Sequence, residues 1–376
     1  MSFSSPGLSS NLLDIIASTN YENATPIQKE AIPFILKGKD ILGIAQTGSG
    51  KTASFVLPIL DQFQNLEKVK NRHVSALVLV PTRELAIQVN TVFQQFGKDL
   101  PKRNKSMAVY GGVSINPQMI GMQGIDILVA TPGRLLELIE NKALSLSEIK
   151  VLVIDEADKM LNLGFREEMK QIFKLLPKKR QNLLFSATLS EDLNAMNAVL
   201  LNDPHVVKIE ETQENLDLIK QLAYSVSDEK KGPLLRYLIQ EKNMEQVLVF
   251  TSSVHRADYV TTKLNNNGIN ARAIHSKKSQ DARITALNMF KSGKIRVLVA
   301  TDLIARGIDI QFLPFVINYE LPRSPKDYVH RIGRTGRAES PGEAISLITP
   351  DEEHHFKIIQ KKMKKKVETI DGDGLV

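Results

Sequence analysis

Cysteine is absent from all 376 residues, which excludes a disulfide framework and any thiolate-held metal. Equally missing is an apolar run near the roughly 20 residues needed to cross a bilayer, so no membrane association is expected. The opening residues Met1-Ser2-Phe3-Ser4-Ser5-Pro6 carry neither a basic region nor an apolar one. Export is therefore not expected, and a cytoplasmic location is. What remains is an ordinary globular composition, 42% hydrophobic and 24% charged, at a length that calls for two domains. Lysine and arginine number 49 against 42 acidic residues, a formal net charge of +7. Such an excess fits a polyanionic partner or a basic surface that serves solubility, and on charge alone the two are equal. The densest cluster, Lys361-Lys362-Met363-Lys364-Lys365-Lys366, reads as the solvated face of a last helix.

Short β-branched runs alternate with longer amphipathic stretches. Leu77–Val80, Ile125–Val129, Val151–Ile154, Val247–Phe250, Val297–Val299 and Phe315–Ile317 read as buried parallel strands, and the segments between them have helical spacing. This is an α/β chain of βα units. Polar residues follow the strands: Pro81-Thr82-Arg83, Thr131-Pro132-Gly133-Arg134, Asp155-Glu156 and Thr301-Asp302. Ligands of open α/β sheets bind outside the carboxyl ends of the strands, which is where these residues fall. An echo between Ile127-Leu128-Val129-Ala130-Thr131 and Val297-Leu298-Val299-Ala300-Thr301 hints at two related domains. The acidic, strand-poor stretch from Lys208 to Asn215 is read as the connection. It gives domains at 1–207 and 217–376 with a linker at 208–216, an arrangement that permits hinge motion.

After the strand Ile41–Ile44 stand Ala45-Gln46-Thr47-Gly48-Ser49-Gly50-Lys51-Thr52 and an apolar helix. Strand, glycine-bearing loop, Lys-Thr and helix in that order form a phosphate-binding loop, its first glycine replaced by alanine. The glycines let amide groups converge on phosphate oxygens, and the helix adds its positive end. Lys51 would reach the β and γ phosphates, and the Thr52 hydroxyl would help to hold Mg²⁺. A strand ending in acid is the expected partner. Asp155 would organise Mg²⁺ and Glu156 would polarise an attacking water.

The residues Asp155-Glu156-Ala157-Asp158, with this loop, resemble the DEAD-box RNA helicases of superfamily 2. The likeness extends through Ala24-Thr25-Pro26-Ile27-Gln28, Pro81 to Ala86, Gly111-Gly112, Thr131 to Arg134, Ser186-Ala187-Thr188, Ala300-Thr301-Asp302 with Arg306-Gly307-Ile308-Asp309, and His330 to Arg337. The stretches 111–119 and 180–185 are similar to the bacterial RhlE-like subgroup. The resemblance implies two tandem RecA-like domains and an RNA-dependent ATPase that locally unwinds short duplexes or remodels RNA–protein complexes. It implies that Phe3, Thr25 and Gln28 meet the adenine end of ATP. It places Gln46, Thr47, Gly48, Ser49, Gly50, Lys51 and Thr52 on the phosphates, and Gly307 and Asp309 near the ribose. The Gln28 amide, one donor and one acceptor, matches adenine and mismatches guanine. Arg334 and Arg337 correspond to arginine fingers toward the γ-phosphate, while Asp158, Ser186, Thr188 and His330 couple hydrolysis to domain closure. No second phosphate loop follows Val247–Phe250, where Thr251-Ser252-Ser253-Val254-His255 stands instead.

RNA contact is implied for Thr82, Arg83, Gly112, Thr131 and Arg134, and for Arg283 and Thr301 in the second domain. Hydroxyls, glycine amides and guanidinium groups suit phosphate and sugar better than base edges. Three departures stand out. Ser276 and Lys277 follow His275 where relatives commonly have glycine, Ser252-Ser253 occupies a position often held by arginine, and Ala45 replaces glycine as is usual in the family. Two other readings stay open. An ATP-dependent RNA clamp would use hydrolysis only for release, and a DNA helicase would be stimulated by DNA as well as by RNA. A monomer is expected, with ribosomal or degradation complexes as candidate settings. After Asp351 a lysine-rich helix and an acidic, glycine-bearing end are expected.

Overall fold

The computed structural model describes residues 7–19, 21, 23–46, 48–66, 71–102, 104–209, 219–302, 313–336 and 342–376. The chain divides into two compact units, Met1–Glu211 and Thr212–Val376. No helix among the described residues is long and apolar enough to cross a membrane.

The first unit is one sheet of seven strands: β1 (Ile41–Ile44), β2 (Ala76–Leu79), β3 (Ser106–Val109), β4 (Ile127–Ala130), β5 (Val151–Ile154), β6 (Gln181–Ser186) and β7 (His205–Lys208). They lie in the order β3-β4-β2-β5-β6-β1-β7, and every pair is parallel. Side chains alternate across the sheet, as the pleat requires. Val151 and Val153 enter one core, which includes α2 (Pro26–Leu36), α3 (Lys51–Phe63) and α4 (Arg83–Gly97). Leu152 and Ile154 enter the other, with α6 (Pro132–Glu140), α7 (Ala157–Asn162), α8 (Arg166–Leu175) and α9 (Glu191–Leu200). Helices α1 (Ser10–Ser18) and α5 (Asn116–Gly121) complete this unit among the described residues. Gly43 in β1 has no room for a side chain, since a Cβ there would stand 2.4 Å from the Phe185 ring. That ring packs on Phe55 of α3 at 5.5 Å.

The second unit repeats the plan. Its strands are β8 (Ile219–Ser225), β9 (Val247–Thr251), β10 (Ala271–Ile274), β11 (Val297–Thr301), β12 (Phe315–Asn318), β13 (Gly342–Ile348) and β14 (Glu368–Asp371), in the order β10-β11-β9-β12-β13-β8-β14, all parallel. Helices α10 (Asp228–Glu241) and α11 (Val254–Asn266) cover one face. Helices α12 (Gln280–Lys291), α13 (Pro325–Ile332) and α14 (Glu353–Met363) cover the other. The expected doubly wound architecture is present in both units.

Two details differ from the sequence reading. Lys208, expected to open the linker, is the last residue of β7 and pairs with Ile44. The acidic, glycine-bearing end after α14 is strand β14, laid beside β8. Asp373 then accepts hydrogen bonds from Ser227 N and Oγ, at 3.1 and 3.0 Å, just before α10 begins. Short polar strands at a sheet edge carry little hydrophobic signal, so composition does not reveal either one.

Arg180-Gln181-Asn182, a subgroup signal in the sequence, has a structural role here. Gln181 donates from Nε2 to the carbonyls of Ile35 and Lys39 at 2.9 and 2.7 Å. Buried Asp40, beside β1, accepts from Asn182 N at 2.7 Å, Asn182 Nδ2 at 3.1 Å and Asn202 N at 2.9 Å. One carboxylate thus pins the starts of β1 and β6 to the residues before β7. Asp40→Ala is expected to destabilise the first unit by about 3 kcal/mol, because it orphans buried donors that bonded a charged acceptor. In urea this would appear as a lower midpoint; a shift worth less than about 1 kcal/mol would refute the role.

Candidate active site

Parallel pairing brings the polar residues after β1, β5 and β6 to one edge of the first sheet. The loop after β1 is tied to β6 by Ala45 N, which donates to Ser186 O at 3.0 Å. Gly48 and Gly50 take φ of +90° and +94°, a left-handed backbone that glycine adopts without strain. Ser49 folds back through Oγ to the Gln46 carbonyl at 2.8 Å. Lys51 opens α3, is buried, and donates through Nζ to the Ala45 carbonyl at 2.7 Å. Thr52 follows in the first turn, half-buried. The glycine-bearing residues 48–50 and the start of α3 offer amide groups and a cation, the elements of an anion site.

Asp155 stands after β5, its amide bonded to the Leu79 carbonyl at 3.0 Å. It is 2% exposed. Burial pushes its carboxyl up to about 6, opposed by the Lys51 ammonium and reinforced by the Glu156 carboxylate. Burial likewise lowers the Lys51 ammonium, opposed by Asp155 and Glu156. Each is the main charge that offsets the other's desolvation. Glu156 sits at φ +53° and ψ +46° at the N-terminal end of α7, and its carboxylate accepts from Lys159 Nζ at 2.6 Å. Asp158 Oδ2 accepts from the Thr188 hydroxyl at 3.1 Å, and Ser186 Oγ donates to the Thr188 carbonyl at 2.8 Å. The expected coupling residues Asp158, Ser186 and Thr188 thus form one hydrogen-bonded chain.

Gln28 has no exposed surface. Its Oε1 accepts from Thr25 N at 2.8 Å, and its Nε2 donates to Tyr21 Oη at 2.9 Å and to the Gly50 carbonyl at 3.0 Å. Both amide protons are engaged within the protein, so the adenine contact that the resemblance implies for Gln28 would require that one be exchanged. Tyr21 was not foreseen; no pattern in the sequence marks it. A Cβ at Gly50 would lie 2.5 Å from Gln28 Nε2, which is why the loop and this amide meet only through glycine.

The RNA candidates of the first unit also gather. Gly112, at φ +76°, lies so close to Arg83 that a Cβ there would stand 2.1 Å from its Nη2. Arg134 donates through Nη2 to the Val113 carbonyl at 2.8 Å and through Nε to Glu137 at 2.7 Å. Thr82 and Thr131 stand at the N-cap positions of α4 and α6, and Thr82 Oγ1 accepts from Leu85 N at 3.3 Å. Arg83, Gly112 and Arg134 therefore share the loop that holds Gly111 to Val113.

In the second unit Thr301 ends β11, paired with Thr251, and Arg283 on α12 bonds Gln280. His330 lies on α13 and Arg334 just beyond it, and both are engaged within the structure. The sequence reading missed the organising residue between them. Arg331 donates from Nε and Nη2 to Asp302 at 2.6 and 2.8 Å, from Nη1 to Asn318 Oδ1 and to the Glu320 carbonyl, and lies over Phe250 at 4.9 Å. Its place in the motif, with Asp302 in another, was the available signal. Ser252 and Ser253, noted as departures, have local work: Ser252 N and Oγ donate to Glu320, and Ser253 caps α11. Phe3, Thr47, Gly307, Asp309 and Arg337 lie outside the described residues.

The comparisons with known proteins agree with this geometry. Residues 25–196 match the family model of DEAD/DEAH box helicases, and residues 229–339 that of the helicase conserved C-terminal domain. The chain is 40% identical over 370 residues to the DEAD-box ATP-dependent RNA helicase CshA of Bacillus cereus, covering 98% of this chain and 69% of that protein. It is 41% identical over 362 residues to CshA of Limosilactobacillus reuteri, covering 96% and 72%. These two carry the CshA name, not the RhlE name. Among solved structures, S. cerevisiae Dbp5 bound to RNA and ADP BeF3 matches at a TM-score of 0.84 and 29% identity, over 100% of this chain and 96% of that one. A DEAD box protein from Methanococcus jannaschii matches at 0.55 and 36% identity, over 99% of each. By its motifs, its two sheets and these relatives, the chain belongs to the DEAD-box ATP-dependent RNA helicases.

Proposed function

We propose that this helicase hydrolyses ATP on RNA-induced closure of its two units and separates short duplexes locally. The observation that best supports the reading is the continuous link from the phosphate loop to Asp158. Ala45 N bonds the Ser186 carbonyl, Ser186 Oγ bonds the Thr188 carbonyl, and the Thr188 hydroxyl bonds Asp158. The amides of the loop from Gly48 to Thr52 would receive the phosphates, with Lys51 between β and γ. Glu156 would take up the proton of the water that attacks the γ-phosphorus, while the bond to the ADP oxygen breaks. Arg334 and Arg337 would spread the charge developed on the γ-phosphoryl oxygens once closure brings them there.

Mg²⁺ fits the donors present. Thr52 and Asp155 offer hydroxyl and carboxylate oxygens, the hard ligands this ion prefers. Among the described residues there is no cluster of three or more His, Cys, Asp or Glu that would form a protein cage, consistent with an ion shared with substrate phosphates. When bound it would neutralise charge on the β and γ oxygens.

RNA would be held by the Arg83–Gly112–Arg134 loop, with Thr82 and Thr131, and by Arg283 and Thr301 of the second unit. Phosphate and 2′-hydroxyl recognition makes binding independent of sequence and favours RNA over DNA. A cytoplasmic monomer acting on ribosomal or degradation complexes belongs to the same proposal; a stable dimer in sedimentation would contradict its oligomeric part.

Two measurements test this. ATP turnover is expected to rise strongly with single-stranded RNA and to fall by about 10²-fold or more in Glu156→Gln; equal rates with and without RNA would remove the coupling. Arg83→Ala is expected to weaken binding of unrelated RNA sequences alike and to reduce the salt slope of log K by about 1. A loss confined to one sequence would point instead to base readout.

A further inference from the structure

Glu156 is an unusual general base in its setting. Its backbone is left-handed, with φ of +53°, a conformation strained for a non-glycine residue, which persists only when the surroundings fix it. Its side chain has three rotatable bonds and makes no capping hydrogen bond to α7, although Glu156 is the N-cap residue of that helix. What holds the carboxylate is one turn further on. Lys159, at the (i, i+3) position, meets it at 2.6 Å, with side chains 21% and 7% exposed. Charged groups so far removed from water interact more strongly than a surface pair, and each is costly to leave alone. The same ammonium acts on the field of the phosphate site, where it lowers Lys51 and bears on Asp155.

We propose that Lys159 is a positioning residue for ATP hydrolysis: through its ion pair it holds the Glu156 carboxylate in the orientation from which the attacking water is deprotonated. The proposal rests on the role given to Glu156 above and goes one residue beyond it. Lys159 need not touch nucleotide. It removes rotamer freedom from the base, and orientation errors of about 1 Å at such a group are worth up to 10²-fold in rate. The competing account is an ordinary helix pair, which supports α7 slightly and leaves the chemistry alone.

The two accounts separate in steady-state kinetics with saturating single-stranded RNA. Lys159→Gln is expected to lower kcat several-fold with KM for ATP within about twofold, since uniform binding is untouched. Lys159→Arg, which can keep the ion pair, is expected to restore most of the rate. In a Glu156→Gln background, Lys159→Gln is expected to cost nothing further, because the two act as a unit. Thermal melting of each variant identifies loss of folding. If Lys159→Gln leaves kcat unchanged while Glu156→Gln abolishes turnover, the positioning role is overturned and the base assignment stands. If kcat falls but Arg does not restore it, or the losses multiply in the double variant, the ion pair is not the means and the inference fails. If Glu156→Gln retains full turnover, the base assignment itself is wrong.

Discussion

The ladder of parallel backbone hydrogen bonds is the constraint from which the site follows. In both sheets every strand runs in one direction, so every carboxyl end falls on one edge. The last rungs are made where the motifs begin: Ala45 N to Ser186 O, Asp155 N to Leu79 O, Val80 N to Ala130 O and Thr131 N to Val109 O. Motifs separated by as many as 141 residues, from Ala45 to Ser186, are thereby set side by side. A slip of register would move each motif relative to its neighbour by a full residue and turn its side chain to the opposite face.

Within that frame the polar groups of each unit are satisfied in compact clusters. In the first unit burial disfavours the charged forms of Lys51 and Asp155, and each offsets part of the other's cost. In the second, Arg331 gathers residues from three strand ends: Asp302 after β11, Asn318 on β12 and Phe250 on β9. A planar guanidinium with five donors suits that task, and lysine would not replace it. The arrangement fixes the start of the segment that carries Arg334.

Seven of the fourteen described strands, their parallel direction and the phosphate loop were legible because buried parallel strands read as unbroken apolar runs and because glycine, lysine and threonine at fixed spacing have few other uses. Val151–Ile154 and Ile41–Ile44 are examples where run and strand coincide. What was hidden is what depends on tertiary neighbours. Tyr21 reaches Gln28 from outside any motif, Asp40 gathers donors from positions 182 and 202, and β14 is a polar edge strand. None of these has a local period or a spacing that a single sequence displays. Arg331 stood in plain view, yet its role depended on knowing that Asp302 ends a nearby strand.

Lys51 bonds the carbonyl of Ala45, and Gln28 bonds Tyr21 and Gly50. A nucleotide that took up these donors would replace contacts instead of adding them, so its affinity would be the difference between two well-bonded states. Such a balance would keep binding moderate even where many contacts are made. A spent nucleotide would then leave by handing each donor back to the chain that lent it, and its departure would meet no deep well.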